Sequence, residues 1–311
     1  MRIIIVGAGA IGLLYGARLA IAGTDIVMLA RKEEQAEQLR KEGIKLTGHG
    51  GGQTAVKVSA STIDGYLPAG DERPDWIWLA VKQAHLDETL AGHIGRLGAD
   101  GSPVLALQNG IGHMDALRKV LQETQLHAAV TTEGALRGDG QTVRHTGRGT
   151  LTFGCWPRSV ENASKSQNLL LTTLIAAGIE ASLSNEMEDV VYHKLLVNAV
   201  INPLTAISGV RNGELPADPN RLRWMRALHE ESNRILIAAG MAGNQDAWER
   251  LLRICEATAG NESSMLRDVK AGRKTEIDWI NGGILRLAER LHLPAPMNEA
   301  VYTLIKTLHT N

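Results

Sequence analysis

The chain has 311 residues, 44% of them apolar and 22% charged, and a formal net charge of -1. That is enough apolar content for a full core and enough length for two domains, which excludes a disordered or fibrous chain. Acids and bases balance without a long basic run, so the expected ligand is a small molecule, with neither nucleic acid nor membrane as partner. Up to about residue 184, short β-rich runs alternate with helical patterns, as in a parallel sheet covered by helices. The predicted strands are Arg2–Val6, Asp25–Ala30, Trp76–Val81, Val104–Gln108 and His127–Thr132, with crossover helices at Ala10–Ala22, Lys32–Glu42, Ala84–Leu97 and His113–Gln122. Two hairpin-like stretches interrupt this order, one around Gly48–Gly52 and one from Thr142 to Phe153 across Gly147-Arg148-Gly149. Beyond Asn185 the period becomes helical, at Glu186–Ile207, Asn220–Ala239, Gln245–Ala259, Glu276–Leu291 and Asn298–His309. The expected architecture is α/β, with a Rossmann-type domain over 1–184 and an all-helical domain over 185–311.

The apolar run in the first strand is too short for a signal peptide, and no later segment is expected to span a bilayer. Cys155 and Cys255 lack the count and spacing of a disulfide framework or zinc site, and the histidines show no ligand spacing. The cytoplasm is the expected location, and no metal is expected.

Gly7-Ala8-Gly9-Ala10-Ile11-Gly12 lies between the first predicted strand and the first helix. There the glycines serve a tight turn, close approach of a pyrophosphate, and helix packing on the strand, with the helix N-terminus stabilising the phosphate charge. An Asp or Glu that would bind both ribose hydroxyls of NAD is missing after the second strand, which ends Leu29-Ala30-Arg31-Lys32. Arg31 suits a 2′-phosphate instead, so NADP is the expected dinucleotide. Lys82 and Asn109 follow the third and fourth of these strands, at the sheet edge where open α/β folds bind ligands.

In the helix predicted at Glu186–Ile207, Lys194, Asn198 and Asn202 recur every four residues on an otherwise apolar surface. Such a stripe needs polar partners, and a substrate carboxylate or carbonyl would supply them. A polar seam of purely structural role fits the same pattern. Pro203 is expected to bend or end this helix near Asn202, because it lacks an N–H and crowds the Ala199 carbonyl. By local pattern, Ser263 or Ser264 caps one further helix, and Thr275 with Asp278 starts another.

Together with Val81-Lys82, Gln108-Asn109-Gly110, Lys194–Asn198, Asn202–Ala206, Asn212–Leu215, Ser263-Ser264-Met265 and Thr275–Asp278, the glycine-rich turn resembles the ketopantoate reductase family over essentially the whole chain. The resemblance implies NADPH-dependent reduction of 2-dehydropantoate to pantoate, on the way to pantothenate and coenzyme A. It makes Lys194 the group that polarises and protonates the ketone, and places Glu276 near the nicotinamide. It gives Asn198, Asn202, Asn212 and Ser264 to the substrate, and Lys82, Asn109 and Ala135 to the cofactor. Ser208–Arg211, just before Asn212, departs from the family's pattern. A reductase of another 2-oxo acid and a non-catalytic NADP(H) sensor are the competing readings. A homodimer is left open.

Overall fold

Ile3, Ile4, Ile5 and Val6 are all buried, and four consecutive β-branched residues with no polar face belong to a strand covered on both sides. In the computed structural model, which describes residues 1–48, 50–67, 73–156 and 164–308, that strand lies within a sheet of eight. The elements run β1 (Arg2–Val6), α1 (Ala10–Ile21), β2 (Asp25–Ala30), α2 (Glu33–Glu42), β3 (Ile44–Thr47), β4 (Gln53–Val56), β5 (Ser59–Thr62) and β6 (Trp76–Leu79). There follow α3 (Glu88–Leu97), β7 (Val104–Ala106), α4 (His113–Leu117), β8 (Leu126–Thr131), β9 (Gly134–Arg137), β10 (Thr142–Gly147), β11 (Thr150–Cys155), α5 (Lys165–Ala176) and β12 (Glu180–Leu183). The helical part comprises α6 (Met187–Ser208), α7 (Pro219–Ala238), α8 (Ala247–Ala257), α9 (Ser264–Lys270), α10 (Asn281–Arg290) and α11 (Pro296–Thr307).

The main sheet has the order β12-β11-β8-β7-β6-β1-β2-β5. Six strands from β5 to β8 pair in parallel, and β11 joins β8 antiparallel. The order reverses between β1 and β6, the topological switch point beside which this fold class binds nucleotides. Trp76 and Trp78, both fully buried on β6, pack edge-on against Phe153 and Tyr15 respectively. A second sheet has the order β4-β3-β10-β9.

The stretch from Thr142 to Phe153 is not a hairpin. β10 pairs with β3 and β9 in the small sheet, whereas β11 pairs with β8 and β12 in the large one. Gly149 explains the divergence: a Cβ there would stand 2.4 Å from the Thr132 backbone, so the turn is spent on a close approach to another strand's end. The expected crossover at Ala84–Leu97 is also divided, into a short turn at Gln83–His85 and then α3, whose start is capped by Asp87.

By its contacts the chain divides into two units, Met1–Gln108 with His113–Met187, and Asn109–Gly112 with Glu188–Asn311. In the second unit α6 is long and apolar enough to cross a membrane by length and composition, contrary to the sequence expectation. Burial accounts for that composition. Leu195, Leu196, Ala199 and Ala206 enter one apolar cluster, and Val200, Ile201 and Leu204 enter another.

Pro203 does not end α6, which continues to Ser208. The Ala199 carbonyl, deprived of its usual donor, accepts instead from Asn281 Nδ2 at 2.9 Å. The pair Thr275 and Asp278 does not start a helix either. Asp278 accepts from the Tyr302 hydroxyl and pairs with Lys306, and α10 begins only at Asn281.

Candidate functional site

In the first unit the residues Gly7 to Gly12 have the geometry their sequence implies. Gly7 has φ +112°, and a Cβ there would lie 2.8 to 2.9 Å from Val81 and the Ala80 backbone. At Gly12 a Cβ would fall 2.0 Å from the Gly7 carbonyl oxygen, so α1 packs against the turn only because that residue has none. Gly9 differs: its nearest neighbour would be the Ala80 oxygen at 3.9 Å, which leaves room for a ligand to approach the backbone. Gly9 also occupies the N-cap of α1 without a side chain to take the first N–H groups. Ala8, Ala10 and Ile11 complete the turn. These are the features a dinucleotide pyrophosphate requires.

Two braces of this turn carry no local sequence signal. Gln35 Nε2 donates to the Ala8 carbonyl at 2.9 Å and to Gly140 at 2.6 Å, and Arg137 reaches Ala8 from β9 at 3.4 Å. Arg31 is exposed directly after β2, and no carboxylate follows it until Glu33. Burial, then the charges of Arg31 and Lys82, lower the pKa of His85, so both cations contribute to one positive field. Ala135 is part-buried on β9. The segment before it is held by Glu133, whose carboxylate takes Arg18 Nη1 and His145 Nε2, each at 2.6 Å, and the Gly149 N–H at 3.1 Å.

In the second unit three of the predicted residues come together. Asn109 Nδ2 donates to Glu276 Oε2 at 3.1 Å, and the Glu276 carboxylate bears electrostatically on Lys194. The contact of the Asn109 segment follows from Gly110, where φ is +80° and a Cβ would sit 2.4 Å from the Trp279 carbonyl oxygen. Next to it, Ile111 N–H donates to that same carbonyl at 3.0 Å. Asn109 thus belongs with Glu276, although sequence alone assigns it to the end of a sheet strand.

Lys194, Asn198 and Asn202 advance about 40° around α6 at each step. Leu195 and Leu196 begin the first apolar sector and Val200 and Ile201 the second, leaving the polar residues a third sector of their own. Burial draws the Lys194 ammonium down to about pKa 8, against the opposing pull of Glu276. It is therefore mostly charged at neutral pH yet able to release its proton there.

Ser263, rather than Ser264, caps α9, accepting from Leu266 N–H at 3.0 Å. Its hydroxyl lies 2.7 Å from that of Thr205, one turn beyond Asn202 on α6. Ser264 is exposed in the first turn of α9. Asn212 is not gathered with these groups by any of its hydrogen bonds: its Nδ2 donates to Thr258 Oγ1 and its N–H to the Asn261 carbonyl. A cavity of about 430 Å³ along α7 and α8, lined by Arg226, His229, Asn233 and Trp248, contains none of the predicted site residues.

Comparison with known proteins gives matches over both units. Residues 3–158 match the family described as Ketopantoate reductase PanE/ApbA, and residues 186–309 match its C-terminal counterpart. The 2-dehydropantoate 2-reductase of Pyrococcus abyssi is 33% identical over 309 residues, covering 98% of this chain and 97% of that one. The 2-dehydropantoate 2-reductase of Bacillus subtilis is 32% identical, covering 100% and 98%. A solved structure of the complex of D-mandelate dehydrogenase with NADH superposes with a TM-score of 0.84 at 25% identity, covering 99% of each chain.

Proposed function

Because this chain belongs to the ketopantoate reductase family, we propose that it reduces 2-dehydropantoate to pantoate with NADPH, a step toward pantothenate and coenzyme A in the cytoplasm. The observation that carries the proposal is the Lys194 ammonium beside Glu276 on the polar sector of a buried helix. The 1–184 region is the cofactor-binding domain on this reading, and 185–311 the substrate domain.

The glycine turn and the α1 N-terminus bind the pyrophosphate, and Arg31 with Lys82 favours the extra phosphate of NADP. NADPH, when bound, supplies the hydride that adds to C2 of the oxo acid. As negative charge develops on the ketone oxygen, Lys194 stabilises it and donates a proton, and Glu276 keeps the amine protonated until then. Asn109 donates to the Glu276 carboxylate and fixes it in place. Asn198 and Asn202 offer amide groups along the same sector to the substrate carboxylate and hydroxyl, with Ser264 at the adjacent helix start. Asn212 commits one Nδ2 hydrogen to Thr258 and buries its Oδ1, which leaves the second Nδ2 hydrogen to offer a substrate.

The similarity to D-mandelate dehydrogenase favours one second reading, a reductase of a different 2-oxo acid with the same residues in the same roles. The deciding experiment is NADPH oxidation with ketopantoate against a panel of 2-oxo acids, repeated with NADH. Fast turnover of ketopantoate supports the first reading. Turnover of another acid alone replaces the substrate, and binding of NADPH without turnover of any acid rejects an enzyme in favour of a sensor.

A further inference from the structure

Pro203 leaves the Ala199 carbonyl without its helical donor in the middle of a buried helix, a defect that costs stability unless another N–H replaces it. The replacement is the fully buried side chain of Asn281, and its orientation is dictated by a chain of bonds. Glu231, buried on α7, can only accept, and its carboxylate receives the Met297 N–H, the Asn298 N–H and Asn298 Nδ2. Asn298 must then turn its Oδ1 toward Asn281, with Nδ2 also reaching Ser232 at 3.0 Å. Asn281 Nδ2 consequently faces two acceptors, Asn298 Oδ1 at 3.0 Å and the Ala199 carbonyl at 2.9 Å.

These bonds join two pieces of the proposed site. Ala199 follows Asn198 and lies just over one turn beyond Lys194, while Asn281 closes the Glu276–Ile280 turn, in which the Trp279 and Ile280 N–H groups both donate to the Glu276 carbonyl. We infer that Asn281 is a positioning residue, supplying the hydrogen that Pro203 lacks and so holding Lys194 in register with the Glu276 carboxylate. This rests on the reading of Lys194 as proton donor. Aspartate cannot replace Asn281, because its carboxylate would oppose both neighbouring acceptors.

The test compares the native protein with Asn281→Leu, Pro203→Ala and the double variant, by urea unfolding and by the pH profile of kcat/KM. Leucine keeps the volume and removes the donor. Its expected effect is roughly a tenfold to hundredfold loss in the folding equilibrium constant, with roughly a tenfold or greater fall in kcat/KM. Pro203→Ala restores an N–H to the Ala199 carbonyl, so in that background the same Asn281→Leu change recovers roughly tenfold of both quantities. The basic limb of the profile moves to lower pH in Asn281→Leu, because a Lys194 drawn away from Glu276 loses the charge that keeps it protonated.

Equal losses in both backgrounds overturn the inference, as does an unmoved basic limb beside a large loss of stability. If Asn281→Leu yields no folded protein, recovery of folding in the double variant supports it and equal failure overturns it. Should Lys194→Met turn over like the native protein, the proton-donor reading fails on its own evidence. The unfolding comparison would then still decide whether Asn281 replaces the missing hydrogen.

Discussion

Replacing Lys194 by methionine exchanges an ammonium for an apolar group of similar length, and two quantities should move in opposite directions. Burial lowers the lysine from 10.5 to about 8, a displacement worth roughly 3 kcal/mol of strain on the charged form. The unfolded chain holds that proton more tightly than the folded one, so the cost is complete below pH 8 and fades as pH rises from 8 toward 10.5. At pH 7 the variant should be more stable than the native protein by about 1–3 kcal/mol, the lower end reflecting a Glu276 left without its cation. Near pH 10.5 the difference should largely vanish. Turnover should meanwhile fall by roughly 10²–10⁴ with NADPH affinity retained. Urea unfolding at pH 7 and pH 10, together with steady-state NADPH oxidation and NADPH titration, measures all three. A variant less stable at pH 7, or a difference indifferent to pH, refutes the reasoning that burial and not pairing governs this lysine.

Other outcomes can be checked independently. Arg31→Ala should narrow the preference for NADPH over NADH by roughly tenfold to a hundredfold, seen in the ratio of their kcat/KM values, because it removes the charge-assisted phosphate contact proposed for Arg31. Gly12→Ala puts a Cβ 2.0 Å from the Gly7 oxygen, and should abolish dinucleotide binding in calorimetry while lowering the melting temperature. Burial pushes both His113 and His127 down to about pKa 4, so the stability held with neutral imidazoles above pH 6.5 is lost as pH falls toward 4. At pH 5 the loss should be about 2 kcal/mol for each ring, measured by urea unfolding of the native protein against His127→Leu.

Where local physics decides, the sequence was enough. The bounds of β1 and β2 follow from apolar runs closed by a glycine turn and by Arg31, and the polar sector of α6 follows from a spacing of four. The departures all come from partners distant in the chain. Proline terminates a helix by local rule, yet α6 continues because Asn281, 82 residues beyond Ala199, supplies that carbonyl with a donor. Asp278 has the spacing of a capping residue and is claimed by Tyr302 and Lys306 instead. Gly147-Arg148-Gly149 has the composition of a hairpin turn, but composition does not reveal that the flanking strands enter different sheets. Nor does it reveal that Gln35 and Arg137 reach the Ala8 carbonyl, from 27 and 129 residues away.

The parentage of the small sheet has a consequence for biosynthesis. β3 pairs on one side with β4, its neighbour in the chain, and on the other with β10, through Lys45, Leu46 and Thr47 against Thr142, Val143 and Arg144. A ribosome delivers the first edge almost at once and the second only after nearly a hundred further residues. Throughout that interval the nascent chain carries a half-formed sheet with an open strand edge, a template for pairing with other chains. Fragments released before Thr142 should therefore be the ones that aggregate, and chaperone engagement should ease once β10 has emerged and closed that edge.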